Sequence, residues 1–501
     1  MRTPDEGMRS ARNKGILMRD GRSGVQPDTP CINFWILILV LVGASIVITD
    51  GLTREPLPDE GTEAPLPVLE YQAPWAAYAF ALVSLPICVL YASQAGSLAE
   101  GVLLWFVLCT VTYAKDFAYI RVPHTPVFVT DITLAILLYS LIKRFGVRWA
   151  TPTRLWSKLL FAYVAVGCVC LLRGLSSEDK MLAVRDFALV LYVLFLFVGV
   201  YLVQTWNAVR RFFIMVLVGA ALSTLNGVAW FAAQPGQRRF ILFGIFILAA
   251  FIGVVVFTSH RLMPRLVGWP LAFLLGIGVL LANARTLYLA LALALVVIFI
   301  TPSSNKNSVP LSRVKLLGTV GLAVILLIVA VAQTSLGYAF LERTGSELVS
   351  GTFHYEDDPN GTFRILAWLE ALQRFQAKPV VGEGYGIPFT FELDDSDPRP
   401  HNTYLTVLYK MGLAGFLPLC GFLTYVQWKG WKRWHAFKLN RESVLLYTML
   451  ITHLVVCAFG FLNLLLESPF LASIFWLSAG ISLRMMYLSQ TTPRNRLASA
   501  Q

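Results

Sequence analysis

The chain has 501 residues, of which 56% are hydrophobic and only 14% charged, and its mean hydropathy is +0.65. That balance excludes a single soluble core and a disordered chain, and predicts an all-α, polytopic integral membrane helix bundle. The net charge of +12 is spread over several short loops rather than gathered on one domain, which excludes a nucleic-acid partner.

The basic stretch 1–31 precedes an apolar span without a small-residue cleavage pattern, so it reads as a cytoplasmic tail before a retained first helix. Apolar runs of roughly 17 to 25 residues are long enough to cross about 30 Å of hydrocarbon, and the ten-residue alternation of barrel strands does not dominate. Such spans are predicted at 32–49, 74–92, 98–114, 126–142, 159–172, 181–205, 212–234, 240–258, 266–283, 286–301, 316–333, 403–427, 443–466 and 469–489. The count is about 14, or 12 to 14 allowing for the short span at 159–172 and the tight cut at 283–286. The resulting division is a basic tail 1–31, an N-terminal bundle 32–279, a region 280–490 that includes an external loop 334–402, and a tail 491–501.

Lys143, Arg144, Arg148, Arg154, Lys158, Arg210, Arg211, Arg261, Arg265, Lys429, Lys432, Arg433, Lys438 and Arg441 all fall on one side if the N-terminus is cytoplasmic. This is the bias that sets membrane orientation, and it puts both termini inside. The 7 cysteines form no C-x-x-C pair, so neither a disulfide framework nor a metal site is expected.

Two external segments stand out. The acidic, Pro-rich loop 50–73 suits a solvated connection. The loop 334–402 contains GTFRILAWLEALQRFQAKPVVGEGYGIPF, where Ile365, Trp368, Leu369, Leu372 and Phe375 recur at helical spacing. That amphipathic helix either lies on the membrane surface or caps the bundle, with Arg364 near its start and Lys378–Pro379 at its end. The run G-E-G-Y-G at 382–386 lacks the strand, helix and downstream Lys or acid of a nucleotide loop.

The segment RPHNTYLTVLYKMGLAGF at 399–416 places an ionisable ring at the outer mouth of an apolar helix. At about 100° per residue, His401, Leu405, Leu408, Gly412 and Gly415 share one stripe, with Gly412 about 16 Å deeper than His401. The two glycines are therefore expected to serve close helix packing rather than chemistry. Arg285 in LANARTLYLALALAL likewise interrupts two apolar helices at the outer face. Singly, a snorkelling arginine, a satisfied interfacial histidine and a packing glycine pair account for these signals; together, ionisable groups at one membrane boundary point to a site.

In combination the motifs resemble those of the O-antigen ligase and polymerase superfamily. The resemblance rests on His401-Asn402, nine residues, then Gly412-x-x-Gly415; on A-R-T-L-Y-L-A at Arg285; and on F-R-I-L-A-W-L-E-A-L at Arg364 followed by P-V-V-G-E-G-Y-G. It extends through N-L-L-L-E-S-P-F at 463–470. Thr286 departs from the family's commoner glycine after the arginine, and the usual ligase has fewer helices.

The resemblance implies an inverting, metal-independent glycosyltransferase at the outer face of the bacterial inner membrane, with no cofactor. Its donor would be a glycan on undecaprenyl diphosphate, and its acceptor a sugar hydroxyl on lipid A core or on another glycan chain. A departing diphosphate gathers negative charge, and arginine is a forked, permanent cation suited to its oxygens. Arg285 and Arg364 are accordingly expected to grip the diphosphate and His401 to take the acceptor proton, with Asn402 and Tyr404 as substrate hydrogen-bonders. A polymerase and a protein O-glycosyltransferase share this donor chemistry. A lipid-linked-glycan transporter is the alternative from another class, with Glu100, Asp131, Arg185, Asp186 and Lys410 along its path.

Overall fold

The computed structural model describes residues 30–54, 73–93, 97–122, 125, 127–146, 154–176, 179–234, 244–282, 284–301, 359–389, 399–436 and 441–491. The predicted span 316–333, the greater part of the loop 50–73, the stretches 334–358 and 390–398 of the long loop, and both tails lie outside the described residues. Within them the chain is helical, apart from an isolated bridge between Arg121 and Phe128.

In chain order the helices are α1 (Pro30–Thr53), α2 (Trp75–Ser93), α3 (Leu98–Tyr113), α4 (Lys115–Ala118), α5 (Val129–Phe145) and α6 (Leu155–Gly174). They continue as α7 (Lys180–Asp186), α8 (Ala188–Leu191), α9 (Leu194–Leu202), α10 (Trp206–Ala233), α11 (Gly244–Ser259) and α12 (Arg265–Leu281). The last are α13 (Arg285–Ile300), α14 (Pro359–Ala377), α15 (Thr403–Ala436), α16 (Arg441–Phe459) and α17 (Pro469–Thr491). Among the described residues, 8 helical spans are long and apolar enough to cross a membrane, and 4 shorter apolar helices accompany them.

Polar residues mark the helix starts that hydropathy alone leaves vague. Ser97 accepts the Glu100 N–H and Thr205 the Ala208 N–H, so α3 and α10 begin where a side chain satisfies a free amide. Three spans differ from the hydropathy reading. The short span at 159–172 is a full helix of 20 residues, α6. The run 181–205 is divided into α7, α8 and α9. The run 443–466 stops at Phe459, because Thr403 captures the next turn: its Oγ1 accepts the Leu465 N–H at 2.6 Å and donates to the Asn463 carbonyl at 3.1 Å.

The interior charges are paired across helices. Arg211 of α10 meets Glu100 of α3 at 2.7 Å, Arg54 at the end of α1 meets Asp116 of α4 at 2.7 Å, and Lys410 of α15 meets Asp186 of α7 at 2.5 Å. Asp131 accepts from the Tyr192 hydroxyl at 3.1 Å. Unpaired, each would cost several kcal/mol in a low-dielectric bundle; paired, they fasten helices together. Close backbone contact does the rest between α9 and α17, where a Cβ on Gly480 would strike the Leu196 carbonyl.

Candidate functional site

The geometry of the site follows from an opening in α15. Gly412 sits at φ 61°, ψ −166°, outside helical space. A continuous helix would bond the Leu413 N–H to the Tyr409 carbonyl and the Ala414 N–H to the Lys410 carbonyl. Instead all four groups turn to the segment after α14. Leu413 and Ala414 donate to the carbonyls of Pro379 and Val380 at 2.9 and 3.0 Å, while Glu383 and Gly384 donate to those of Tyr409 and Lys410 at 2.8 and 3.0 Å. The glycine-rich turn is thus a backbone latch, and these four groups are satisfied.

Gly412 and Gly415, expected to serve close helix packing, differ in what they face. A Cβ at Gly412 would collide with the Val380 carbonyl and the Gly382 amide, so the neighbour is a turn and not another helix. A Cβ at Gly415 would meet Met411 of its own helix. The single stripe from His401 to Gly415 does not exist either, since α15 begins at Thr403 and is opened at Gly412.

Side chains reinforce the latch from three directions. The Asp186 carboxylate, already paired with Lys410, accepts the Gly386 N–H at 3.1 Å. Arg173 at the end of α6 donates to the Glu383 carbonyl at 3.3 Å. Arg374 of α14 binds Glu370 at 2.6 Å, Glu383 at 3.3 Å and the Pro388 carbonyl at 3.0 Å, with its guanidinium 4.9 Å from the Phe389 ring centre. Ala367 and Ala371 of α14 are buried with Tyr409 and Phe389, so small residues let α14 lie directly along α15. Ile365, Leu369 and Leu372, three of the apolar positions read from the sequence, face outward and are exposed.

The latch places Arg364. Trp368, one turn further along α14, donates its indole N–H to the Pro400 carbonyl at 2.7 Å. Arg364 and Trp368 share a helix side about 6 Å apart along the axis, and Arg364 and His401 are both half-buried. His401 itself is held at φ 45°, a region that non-glycine residues rarely adopt. Such strain persists only where the surroundings impose it, and it concentrates at functional positions.

What imposes it is the start of α15. The Asn402 side-chain oxygen accepts the N–H groups of Tyr404 and Leu405, both at 3.1 Å, an N-cap. The Tyr404 hydroxyl donates to the Cys457 carbonyl at 2.8 Å, and its ring lies 4.2 Å from that of Phe461. The Thr403 N–H donates to the Gly460 carbonyl at 3.0 Å. The oxygens of Asn402 and Tyr404, expected to bond substrate, are therefore engaged in fixing the peptide that carries His401.

Arg285 is the first residue of α13. Gly244 at the start of α11 abuts Ala282 and Leu287, while His260 at the other end of α11 meets the Tyr447 ring near the start of α16. The start of α13 consequently lies at the same end of the bundle as Gly460, whose carbonyl holds Thr403. Arg285, Arg364 and His401 thus stand at one end, opposite the basic loops. Sequence reasoning missed Trp368, Arg374 and the Asp186–Lys410 pair as the parts that align them. The i, i+4 spacing of Glu370 and Arg374 was the one available signal.

The fold defines a polytopic helical membrane protein. Residues 270–420 match the family model described as O-antigen ligase, so this segment of the chain is similar to the O-antigen ligase superfamily. The match contains Arg285, Arg364 and His401 and supports a glycosyltransferase-like membrane enzyme of ligase or polymerase type. No curated protein matches the chain.

Proposed function

We propose that the protein transfers a glycan from undecaprenyl diphosphate to a sugar hydroxyl at the outer face of the inner membrane, as an O-antigen ligase does. One observation carries the reading: within the O-antigen ligase match, the Trp368–Pro400 hydrogen bond fastens the helix bearing Arg364 to the residue before His401.

In this reaction the acceptor oxygen attacks the anomeric carbon from the face opposite the diphosphate. A C–O bond to the acceptor forms, the C–O bond to the diphosphate breaks with its electron pair leaving on phosphate, and the acceptor proton passes to the His401 imidazole. Arg285 and Arg364 hold the diphosphate oxygens as their charge grows, the work a divalent metal does in other transferases. Asn402 and Tyr404 serve by holding the His401 peptide in its strained form, and attack from the opposite face inverts the anomeric centre.

The test is transfer from a defined lipid-linked donor by purified Arg285→Ala, Arg364→Ala and His401→Ala in metal-free buffer. Each is expected to lose at least 100-fold, about 3 kcal/mol of transition-state stabilisation; wild-type turnover in all three would sink the assignment. Which acceptor becomes labelled, lipid A core or a second lipid-linked chain, separates ligase from polymerase.

A further inference from the structure

Three arginines converge at the end of the bundle that carries the basic loops. Arg144 lies in the last turn of α5, Arg154 is the residue that precedes α6, and Arg484 lies two turns from the end of α17. One residue joins two of them: Gln204 takes the Arg144 guanidinium on its side-chain oxygen at 3.1 Å and that of Arg484 on its carbonyl at 3.2 Å. The Arg154 guanidinium lies 4.1 Å from the Tyr487 ring centre, and the Tyr487 hydroxyl accepts the Trp156 indole N–H at 2.8 Å. Arg154 and Arg484 are within electrostatic reach of each other and of Tyr201.

Among the described residues none of the three is ion-paired, whereas Arg54, Arg211 and Arg374 each have a carboxylate; Arg144 and Arg154 are exposed and Arg484 is half-buried. Arg484 also keeps its Nε buried with no hydrogen-bond acceptor. Like charges brought together at a low-dielectric boundary repel, and a buried guanidinium N–H without an acceptor is costly. An anion with several oxygens removes both penalties, and the guanidinium fork is matched to phosphate. The surroundings say what carries that phosphate. Tyr139, Ile142 and Leu155, beside Arg144 and Arg154 in sequence, are exposed apolar groups, and the partly exposed Tyr201 and Tyr487 pack beside the buried Trp156, amphipathic rings of the kind found at membrane interfaces. A basic pocket between helices at such rings suits an anionic headgroup with its chains along the apolar flank.

We propose that Arg144, Arg154 and Arg484 form a headgroup site for a phosphate-bearing anionic phospholipid in the leaflet next to the basic loops. The site is at the opposite end from His401 and does not rest on the transfer reaction.

The purified full chain in neutral detergent is offered phosphatidylglycerol, phosphatidylcholine or inorganic phosphate at equal concentration, with lipid adducts counted by native mass spectrometry and unfolding followed thermally. Phosphatidylglycerol is expected to be retained through adduct-stripping energies that remove phosphatidylcholine, and to raise the unfolding temperature where inorganic phosphate does not. Arg154→Gln and Arg484→Gln should each lower that retention about tenfold, whereas Arg265→Gln, an exposed arginine at the same end on α12, should leave it unchanged. If Arg484→Gln does not fold, the exposed Arg144→Gln takes its place. Equal retention of the two lipids, undiminished retention in Arg154→Gln, or equal stabilisation by inorganic phosphate would each overturn the proposal.

Discussion

Trp368 on α14 donates its indole N–H to the carbonyl of Pro400 at 2.7 Å, a single hydrogen bond that couples the arginine-bearing helix to the strained residue that follows Pro400. Trp368→Phe keeps the ring and deletes the bond, at about 1 kcal/mol. Transfer from a lipid-linked donor should fall about fivefold to tenfold, while the unfolding temperature in detergent changes little. An unchanged rate would show that α14 is held in register by the latch alone.

His401→Asn separates conformation from chemistry. Asparagine tolerates positive φ better than most residues, so the variant should unfold within a few degrees of wild type. It has no basic nitrogen, and transfer should drop about 100-fold or more. Loss of folding together with activity would instead make His401 a structural residue.

Gly412→Ala should be among the most damaging single changes in α15. It adds backbone strain of about 1–3 kcal/mol at φ 61°, and its Cβ meets the backbone of the latch. Gly421→Ala, whose Cβ would make only ordinary contact with Leu159 at 3.4 Å, is the matched control and should stay within about 1 kcal/mol. Thermal unfolding of the two variants side by side decides it.

Lys410→Met leaves the Asp186 carboxylate, whose side chain is 10% exposed, without its cation. The expected cost is about 3–5 kcal/mol. Adding Asp186→Asn should recover much of it, because the pair is coupled. A double variant no more stable than Lys410→Met would mean that the amide cannot replace the carboxylate at the Gly386 N–H.

Arg364→Lys keeps the charge but not the fork, so transfer should fall by about tenfold or more with little change in folding. Transfer by the wild-type protein is expected to survive chelation of divalent metals, since the arginines are assigned the charge-stabilising part. Restoration of a chelated enzyme by added magnesium would assign that part to a metal.

Apolar length and helical spacing were enough to read most helices here. The spans read at 286–301 and 469–489 correspond to α13 and α17 within two residues, because long uninterrupted apolar runs leave the backbone no other way to satisfy itself in lipid. Arg285, Arg364 and His401 were picked out as candidates for a related reason: an ionisable group at a membrane boundary costs energy and stands out against its surroundings. The opening at Gly412 was not legible. A glycine in an apolar run reads equally as packing or as a break, and only the partner atoms, 28 or more residues upstream in the latch, distinguish the two. The cap at Asn402 was similarly ambiguous, since asparagine before a helix has a hydrogen-bonding side chain whether it faces amides or substrate.

The bonds across the α15 opening run entirely between main-chain atoms, so they do not register which side chains the turn displays. Val380 and Val381 are 63% and 51% exposed and can be exchanged for other residues without touching any of those four bonds. The shape of the turn is therefore independent of which apolar side chains it shows to its surroundings, provided that Gly382 and Gly384, at φ 69° and 102°, are left as they are.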